Sequence, residues 1–231
     1  MDCDPSQHGF DGRRRLGALL TLWLGLCAAT LFPSVVRGQD AAAREYKVKA
    51  AFVFNFLKFV EGGSLQALQG KREETDDPNQ AIVVGVVGRL PAPDAFEKLE
   101  TEHFGDWPIR VRGFPGFTDL RDEDDEIPSR HPRMEEIRDC HILFIGPSER
   151  AFLPRLLAPL CEAGILTVGD VPGFLEAGGI MNFVIDDKKV RFEVNLAAAE
   201  RAKLTIRSSL LRLATRTIEH DQLENRDDDA N

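Results

Sequence analysis

A continuous run of β-branched residues constrains the fold of this chain more than any other feature. Residues 81–88 read AIVVGVVG, so apolar side chains would face both sides of a sheet. Such strands are typical of parallel sheets whose two faces are both covered by helices. Apolar runs at 141–145 and 165–168 repeat the pattern, with helical or charged segments between them. The alternation predicts an α/β domain with a mostly parallel central sheet and helices on both faces.

The C-terminal third of the chain adds a hairpin to this sheet. Residues 180–185 and 189–195 alternate between apolar and polar side chains around the turn Asp186-Asp187-Lys188. This pattern predicts a C-terminal antiparallel β-hairpin within a single domain. Leucines at helical spacing then predict a helix over 208–218.

Two further helices are predicted before the middle of the chain. Residues 44–60 form the first, which Gly62-Gly63 would end, and its phenylalanines fall on more than one face. They indicate either burial on several sides or a surface that docks a partner. The candidate partner-binding residues are Phe52, Phe56, Phe59 and Arg207. Residues 93–104 form the second predicted helix.

The N-terminus has the three parts of a secretory signal peptide. Arg13, Arg14 and Arg15 precede an uncharged apolar run over 16–32, and Val36-Arg37-Gly38 offers small residues for a peptidase. The alternative is a retained membrane anchor, although 17 residues are at the lower limit for a span. The sequence therefore predicts a cleaved signal peptide at 1–38, an α/β domain at 39–218 and an acidic disordered tail at 219–231.

Charge excludes nucleic acid as a partner. Loss of residues 1–38 removes four Arg and three Asp, which changes the formal net charge from −9 to −10. A surface this acidic repels nucleic acid and anionic lipid.

Groups that carry chemistry are few. His103, His131, His141 and His220 do not pair at metal-ligand spacing, and no nucleophile elbow or zinc-protease motif is present. Gly85 and Gly88 follow a strand as in a dinucleotide loop, but the third glycine is missing. Asp170 follows another strand, and a turn or cap role is favoured for it. We therefore assign no catalytic residue, metal site or cofactor.

Removal of the leader leaves two cysteines, Cys140 and Cys161. The first begins a strand and the second ends the helix that follows it. Because that helix returns antiparallel to its strand, the two would meet at one end of the layer. A disulfide is the expectation in an oxidising compartment, and two buried thiols are the alternative.

Several stretches of the chain resemble the YfiR family of periplasmic proteins. The first reads YKVKAAFVFNFLKFV from Tyr46 to Val60, and the last reads IRSSLLRLA from Ile206 to Ala214. The others lie between them at residues 140–145, 166–170, 178–180 and 190–195. The likeness covers most of the chain after residue 45. It departs from the family pattern at Gly62-Gly63 and at Gly169.

The resemblance implies a regulatory role. Family members of this type reside in the periplasm and repress an inner-membrane diguanylate cyclase, which controls cyclic di-GMP and biofilm. An outer-membrane lipoprotein sequesters them, and a disulfide consistent with Cys140 and Cys161 occurs among them. The expected function is a periplasmic, non-catalytic regulator of such a membrane protein. The alternatives are a small-molecule-sensing subunit for a histidine kinase or another sensor, an enzyme, and a homodimer through the aromatic face.

Overall fold

The computed structural model of the protein describes residues 34–69, 81–121 and 126–219. Most of the predicted signal peptide (1–33) and nearly all of the predicted acidic tail (220–231) lie outside these ranges. Residues 34–41 are helical and belong to one compact unit, and the described residues from 42 to 219 belong to a second unit, the α/β domain. Within the described ranges, no helix combines the length and the apolar character that a membrane span requires.

One long helix, five short helices and ten strands make up the described chain. The helices are α1 (Ser34–Phe56), α2 (Asp94–Glu97), α3 (Met134–Arg138), α4 (Leu153–Leu157), α5 (Leu196–Arg201) and α6 (Ser208–Leu211). The strands are β1 (Val60–Gly62), β2 (Ile82–Val87), β3 (His103–Phe104), β4 (Trp107–Phe114), β5 (Ile142–Ile145), β6 (Leu166–Gly169), β7 (Met181–Asp186), β8 (Lys189–Asn195), β9 (Leu204–Ile206) and β10 (Arg216–Ile218).

One sheet of eight strands organises the domain, in the order β10-β8-β7-β6-β5-β2-β4-β3. Strands β4, β2, β5, β6 and β7 are parallel neighbours. Numbered along the chain, these five have the doubly wound order 2-1-3-4-5, whose direction of winding reverses between β2 and β5. The predicted α/β class with a mostly parallel sheet is confirmed.

The central strands are buried on both faces, as their uninterrupted apolar runs predict. Ile142 and Phe144 of β5 face one core with α1, α2, α5 and α6, whereas Leu143 and Ile145 face a second core with α3 and α4. Phe144 is fully buried, and removal of its ring would cost about 3–5 kcal/mol.

The predicted hairpin is confirmed as β7 and β8. They pair antiparallel from Met181 opposite Val194 to Asp186 opposite Lys189. Asp187 and Lys188 form the two-residue turn, with φ of 46° and 61°. Two positive φ angles are the signature of the turn whose twist matches the flanking strands.

Three predicted helices end earlier than expected. The first ends at Phe56, because residues 60–62 form β1 and pair with β9. Gly62 has a φ of +89°, and a Cβ there would lie 2.4 Å from the carbonyl oxygen of Lys203. This close approach of the two strands, and not the helix end, accounts for the glycine.

The helices predicted over 93–104 and 208–218 are also wrong at their C-terminal ends. α2 continues only as a 3₁₀ turn before β3 begins. α6 ends at Leu211, and residues 216–218 form β10, which pairs in parallel with β8. An open backbone edge of the sheet outweighs the local helical pattern at this position.

Candidate functional site

A cavity of about 570 Å³ opens at the carboxyl edge of the parallel strands. Its walls come from α1, from the loops after β2, β5 and β6, and from β7, β8 and β10. Open α/β sheets bind ligands in the crevice at this edge, near the point where the strand order reverses. The volume lies within the range of small-molecule sites. We refer to this feature as the carboxyl-edge cavity.

Three side chains meet in the wall of the cavity. Asp170 directly follows β6, and Tyr46 and Lys49 lie three residues apart on one face of α1. The Tyr46 hydroxyl donates to Asp170 Oδ2 over 2.5 Å, and Lys49 Nζ donates to the same oxygen over 2.8 Å. Lys49 Nζ also lies 2.5 Å from Oε1 of Glu45, one turn earlier on the helix. We call these four residues the Asp170 cluster.

The central pair of the cluster is buried. Only 4% of the Lys49 side chain and 6% of the Asp170 side chain is exposed. A buried charge without its partner is strongly destabilising, so each of these groups depends on the other. Burial, followed by the hydrogen bond to Asp170, raises the pKa of Tyr46, so its hydroxyl remains a protonated donor. The cluster therefore ties α1 to the carboxyl edge of the sheet.

One oxygen of Asp170 is left without a partner. Oδ1 is buried and accepts no hydrogen bond from the described residues. A carboxylate can accept about four hydrogen bonds, and an unpaired buried acceptor costs about 1–3 kcal/mol. The cavity wall thus contains a carboxylate oxygen that is not used as a hydrogen-bond acceptor.

Arg216 on β10 contributes the second cation of the cavity. Its Nη1 lies 2.9 Å from Glu176 Oε1, and its Nε and Nη2 contact both carboxylate oxygens of Glu193 over 3.0 and 2.9 Å. The hydrogen bonds to Glu193, then that to Glu176, raise the pKa of Arg216. Arg216 is therefore committed to two carboxylates, as Lys49 is, and the four carboxylates that line the cavity outnumber its two cations. The cavity favours cations over anions.

The loop after β2 does not fit a dinucleotide phosphate. Gly88 has a φ of +82°, and a Cβ there would lie 2.6 Å from Oε1 of Glu149. The Glu149 carboxylate is fully buried, and it accepts from the Phe117 backbone N–H over 2.9 Å and from the Ser148 hydroxyl over 2.6 Å. A negative group thus occupies the place where a phosphate would lie. The weak dinucleotide pattern in the sequence is accounted for by this loop contact.

A family model described as YfiR/HmsC-like matches residues 46–215. This range holds Tyr46, Lys49 and Asp170, and it covers most of the described domain. The chain belongs to the YfiR/HmsC-like family. No curated protein sequence matches the chain.

Solved structures resemble this YfiR/HmsC-like protein only distantly. A conserved domain protein from Vibrio cholerae O1 biovar El Tor has a TM-score of 0.45 and 15% identity over 61% of this chain. The ABC domain from Streptococcus pneumoniae, solved with L-Trp, has a TM-score of 0.41 and 12% identity over 59% of this chain. The chain spans about half the length of either structure, 55% in each case.

The aromatic face of α1 is largely core in this YfiR/HmsC-like domain. The predicted partner-binding residue Phe56 is fully buried, so in this structure its ring is part of the core. Phe52 is partly buried, and the centroid of its ring lies 5.9 Å from the ring centroid of Phe183 and 5.9 Å from that of Phe192. Phe59 also packs against the core. Sheet residues far along the chain cover these rings, which the helix sequence alone could not reveal.

Arg207 is the most accessible of the predicted partner-binding residues. Its side chain is 57% exposed and forms an ion pair with Glu61 at the β1–β9 edge. The residue lies just before α6 and stays a candidate for partner contact.

The two cysteines are free thiols in the structure, in place of the predicted disulfide. Cys140 is buried, and its Sγ lies 3.7 Å from the Glu136 carbonyl oxygen, whereas Cys161 is exposed. The prediction rested on one helix, irregular or kinked at its prolines, that returns antiparallel to the strand. Residues 147–160 instead form 3₁₀, α and 3₁₀ segments interrupted by Pro154 and Pro159, so the two thiols are not brought together.

Two of the described histidines, His131 and His141, have structural contacts, whereas His103 is exposed on β3. His131 is buried, with Nε2 3.0 Å from the Pro115 carbonyl oxygen. His141 Nδ1 accepts from the Val83 backbone N–H over 3.1 Å, and burial lowers the pKa of this imidazole. Within the described ranges, no three His, Cys, Asp or Glu side chains group as a metal site. His220 lies outside those ranges.

Sequence reasoning found Asp170 but missed its partners. The sequence favours a turn or cap role for Asp170, but its Oδ2 accepts from Tyr46 and Lys49, and its Oδ1 accepts from no described residue. The missed signal lay in α1, where Tyr46 and Lys49 are polar groups at helical spacing on a face that is otherwise apolar.

Proposed function

We propose that the protein is a periplasmic regulator without catalysis of its own, which binds and represses an inner-membrane signalling protein. The family match over residues 46–215 is the observation that carries the proposal. The N-terminal basic and apolar segments support export. The first partner to test is the sensing domain of a diguanylate cyclase, and an outer-membrane lipoprotein would release the enzyme by sequestering the regulator.

Intracellular cyclic di-GMP tests this proposal in the native bacterium. Deletion of the gene is expected to raise cyclic di-GMP, and the full-length gene to restore the lower level. A gene that lacks codons 2–38 is the matched control, because its product has the same domain but stays in the cytoplasm. Unchanged cyclic di-GMP on deletion would contradict control of a cyclase.

Arg207 offers a test of the contact surface. Arg207→Ala is expected to weaken capture of the membrane partner by about tenfold, since an interface arginine is often an energetic centre. Arg130→Ala is the control, because Arg130 is 59% exposed and pairs with Glu135 in the same way that Arg207 pairs with Glu61. Equal capture by the two variants would place the interface elsewhere.

A second candidate function is a small-molecule-sensing subunit for a membrane histidine kinase or another sensor. The carboxyl-edge cavity, with its unpartnered Asp170 oxygen, favours it. A ligand that raises the melting temperature of the protein and changes partner capture would support this function.

A further inference from the structure

We propose that the carboxyl-edge cavity binds a protonated primary amine carried on an apolar group, with the ammonium at Asp170 and Glu45. The inference supplies a ligand class for the second candidate function. Its test measures binding on the protein alone, so it can fail or succeed independently of any effect on cyclic di-GMP.

The charge of the cavity selects a cation. Glu45, Asp170, Glu176 and Glu193 line it, against two cations that are already paired. A ligand anion would find no uncommitted cation among these lining residues, and it would face a net negative wall. A ligand cation would offset part of the net negative charge of the lining residues.

The unpartnered oxygen selects a hydrogen-bond donor. Asp170 Oδ1 lacks a hydrogen-bond partner among the described residues. Only 6% of the Asp170 side chain is exposed. A primary ammonium brings three N–H donors, whereas a quaternary ammonium of equal charge brings none. Because Oδ1 is itself buried, the cavity wall has to rearrange for the ammonium to reach it, and Glu45, at 36% exposed, is the carboxylate of the Asp170 cluster that solvent already reaches.

The apolar lining residues of the cavity select an apolar group on the amine. Pro91, Pro147 and Pro172 come from the three loops after β2, β5 and β6, and Val184 and Ile185 come from the hairpin. Ile185 is 54% exposed, so part of its apolar side chain is in contact with water. An alkyl chain or a ring would cover it.

Hexylamine, hexyltrimethylammonium and hexanoate test these three selections by calorimetric titration. The protein is purified after expression of the full-length chain. Hexylamine is expected to bind with a Kd of about 1 mM or tighter, and the other two at least about tenfold more weakly. Hexanoate binding as tightly as hexylamine, equal binding of the two cations, or no hexylamine binding would each overturn the proposal.

Variants locate the site. Asp170→Asn is expected to weaken hexylamine binding by about tenfold or more. Glu45→Gln, on the solvent side, is expected to weaken it by about threefold, and it keeps the test valid if Asp170→Asn does not fold. Glu61→Gln removes a charge outside the cavity and is the matched control. A loss with Glu61→Gln as large as with Glu45→Gln would overturn the assignment.

A lysine side chain of a protein partner carries the same chemistry as a free amine. An acetylated and amidated apolar tripeptide with one central lysine separates the two sources in competition with hexylamine. Tighter binding of the peptide points to a partner's lysine, and tighter binding of hexylamine points to a free amine. Either result supports the site, whereas additive binding without competition would overturn it.

Discussion

Replacement of Lys49 with methionine is expected to lower the free energy of unfolding more than replacement of any exposed lysine. The change keeps the length and apolar stem of the side chain but leaves Asp170 buried without its cation. Breaking a buried ion pair on one side costs about 3–5 kcal/mol. Tyr46 still donates to Asp170, so we expect the lower end, about 3 kcal/mol. For a chain of this size, this corresponds to a fall in melting temperature of roughly 6–12 °C.

Urea unfolding followed by circular dichroism measures the loss. Lys47→Met is the matched control, because Lys47 lies two residues earlier on α1 and is exposed; its cost should stay within about 0.5 kcal/mol. In the double variant Lys49→Met/Asp170→Asn, both charges are gone, so the losses should fall short of additivity by about 2 kcal/mol. Equal losses for the two lysine variants, or strict additivity, would refute the coupling between α1 and the sheet.

Three further predictions concern residues away from that pair. Burial lowers the pKa of His141 below its unfolded value. The unfolded chain therefore binds more protons as the pH falls through about 6.5, and the free energy of unfolding should drop by at most about 1.4 kcal/mol per pH unit. His141→Gln should flatten that drop in urea titrations, and an unchanged slope would exclude His141 as the cause. Burial raises the pKa of Cys140 to about 12. In protein without residues 1–38, which contain Cys3 and Cys27, maleimide should therefore label Cys161 alone in the folded state and both thiols after unfolding. A requirement for reductant before labelling would indicate the disulfide. Gly88→Ala should lower the free energy of unfolding by at least about 2 kcal/mol more than Gly173→Ala in the same assay. Both residues have positive φ, but only a Cβ at Gly88 meets atoms within 4 Å. Equal losses for the two variants would mean that backbone conformation alone decides the cost.

The strands were predictable where one local property decided them. Residues 82–87 and 142–145 are apolar on both faces, and such a run is stable only between two layers of helices. The hairpin was predictable because alternation around a short polar turn leaves one antiparallel register. Residues 208–218 were not, because a helix there competes with an edge of the sheet that the local sequence does not contain.

The candidate site divides in the same way. The family likeness, the acidic charge and the position of Asp170 after a strand can all be predicted from the sequence. The cluster around Asp170 is not, because Lys49 and Asp170 are 121 residues apart and meet only when α1 packs across the sheet.

The α/β class, the hairpin and the family thus follow from the amino-acid sequence, since periodicity and motifs close together in the chain specify them. Contacts between distant segments place Phe56 in the core, leave both cysteines as free thiols and leave one oxygen of Asp170 without a partner among the described residues. Burial and pairing belong to contacts between distant segments, and periodicity within one segment does not specify which distant side chain will cover it.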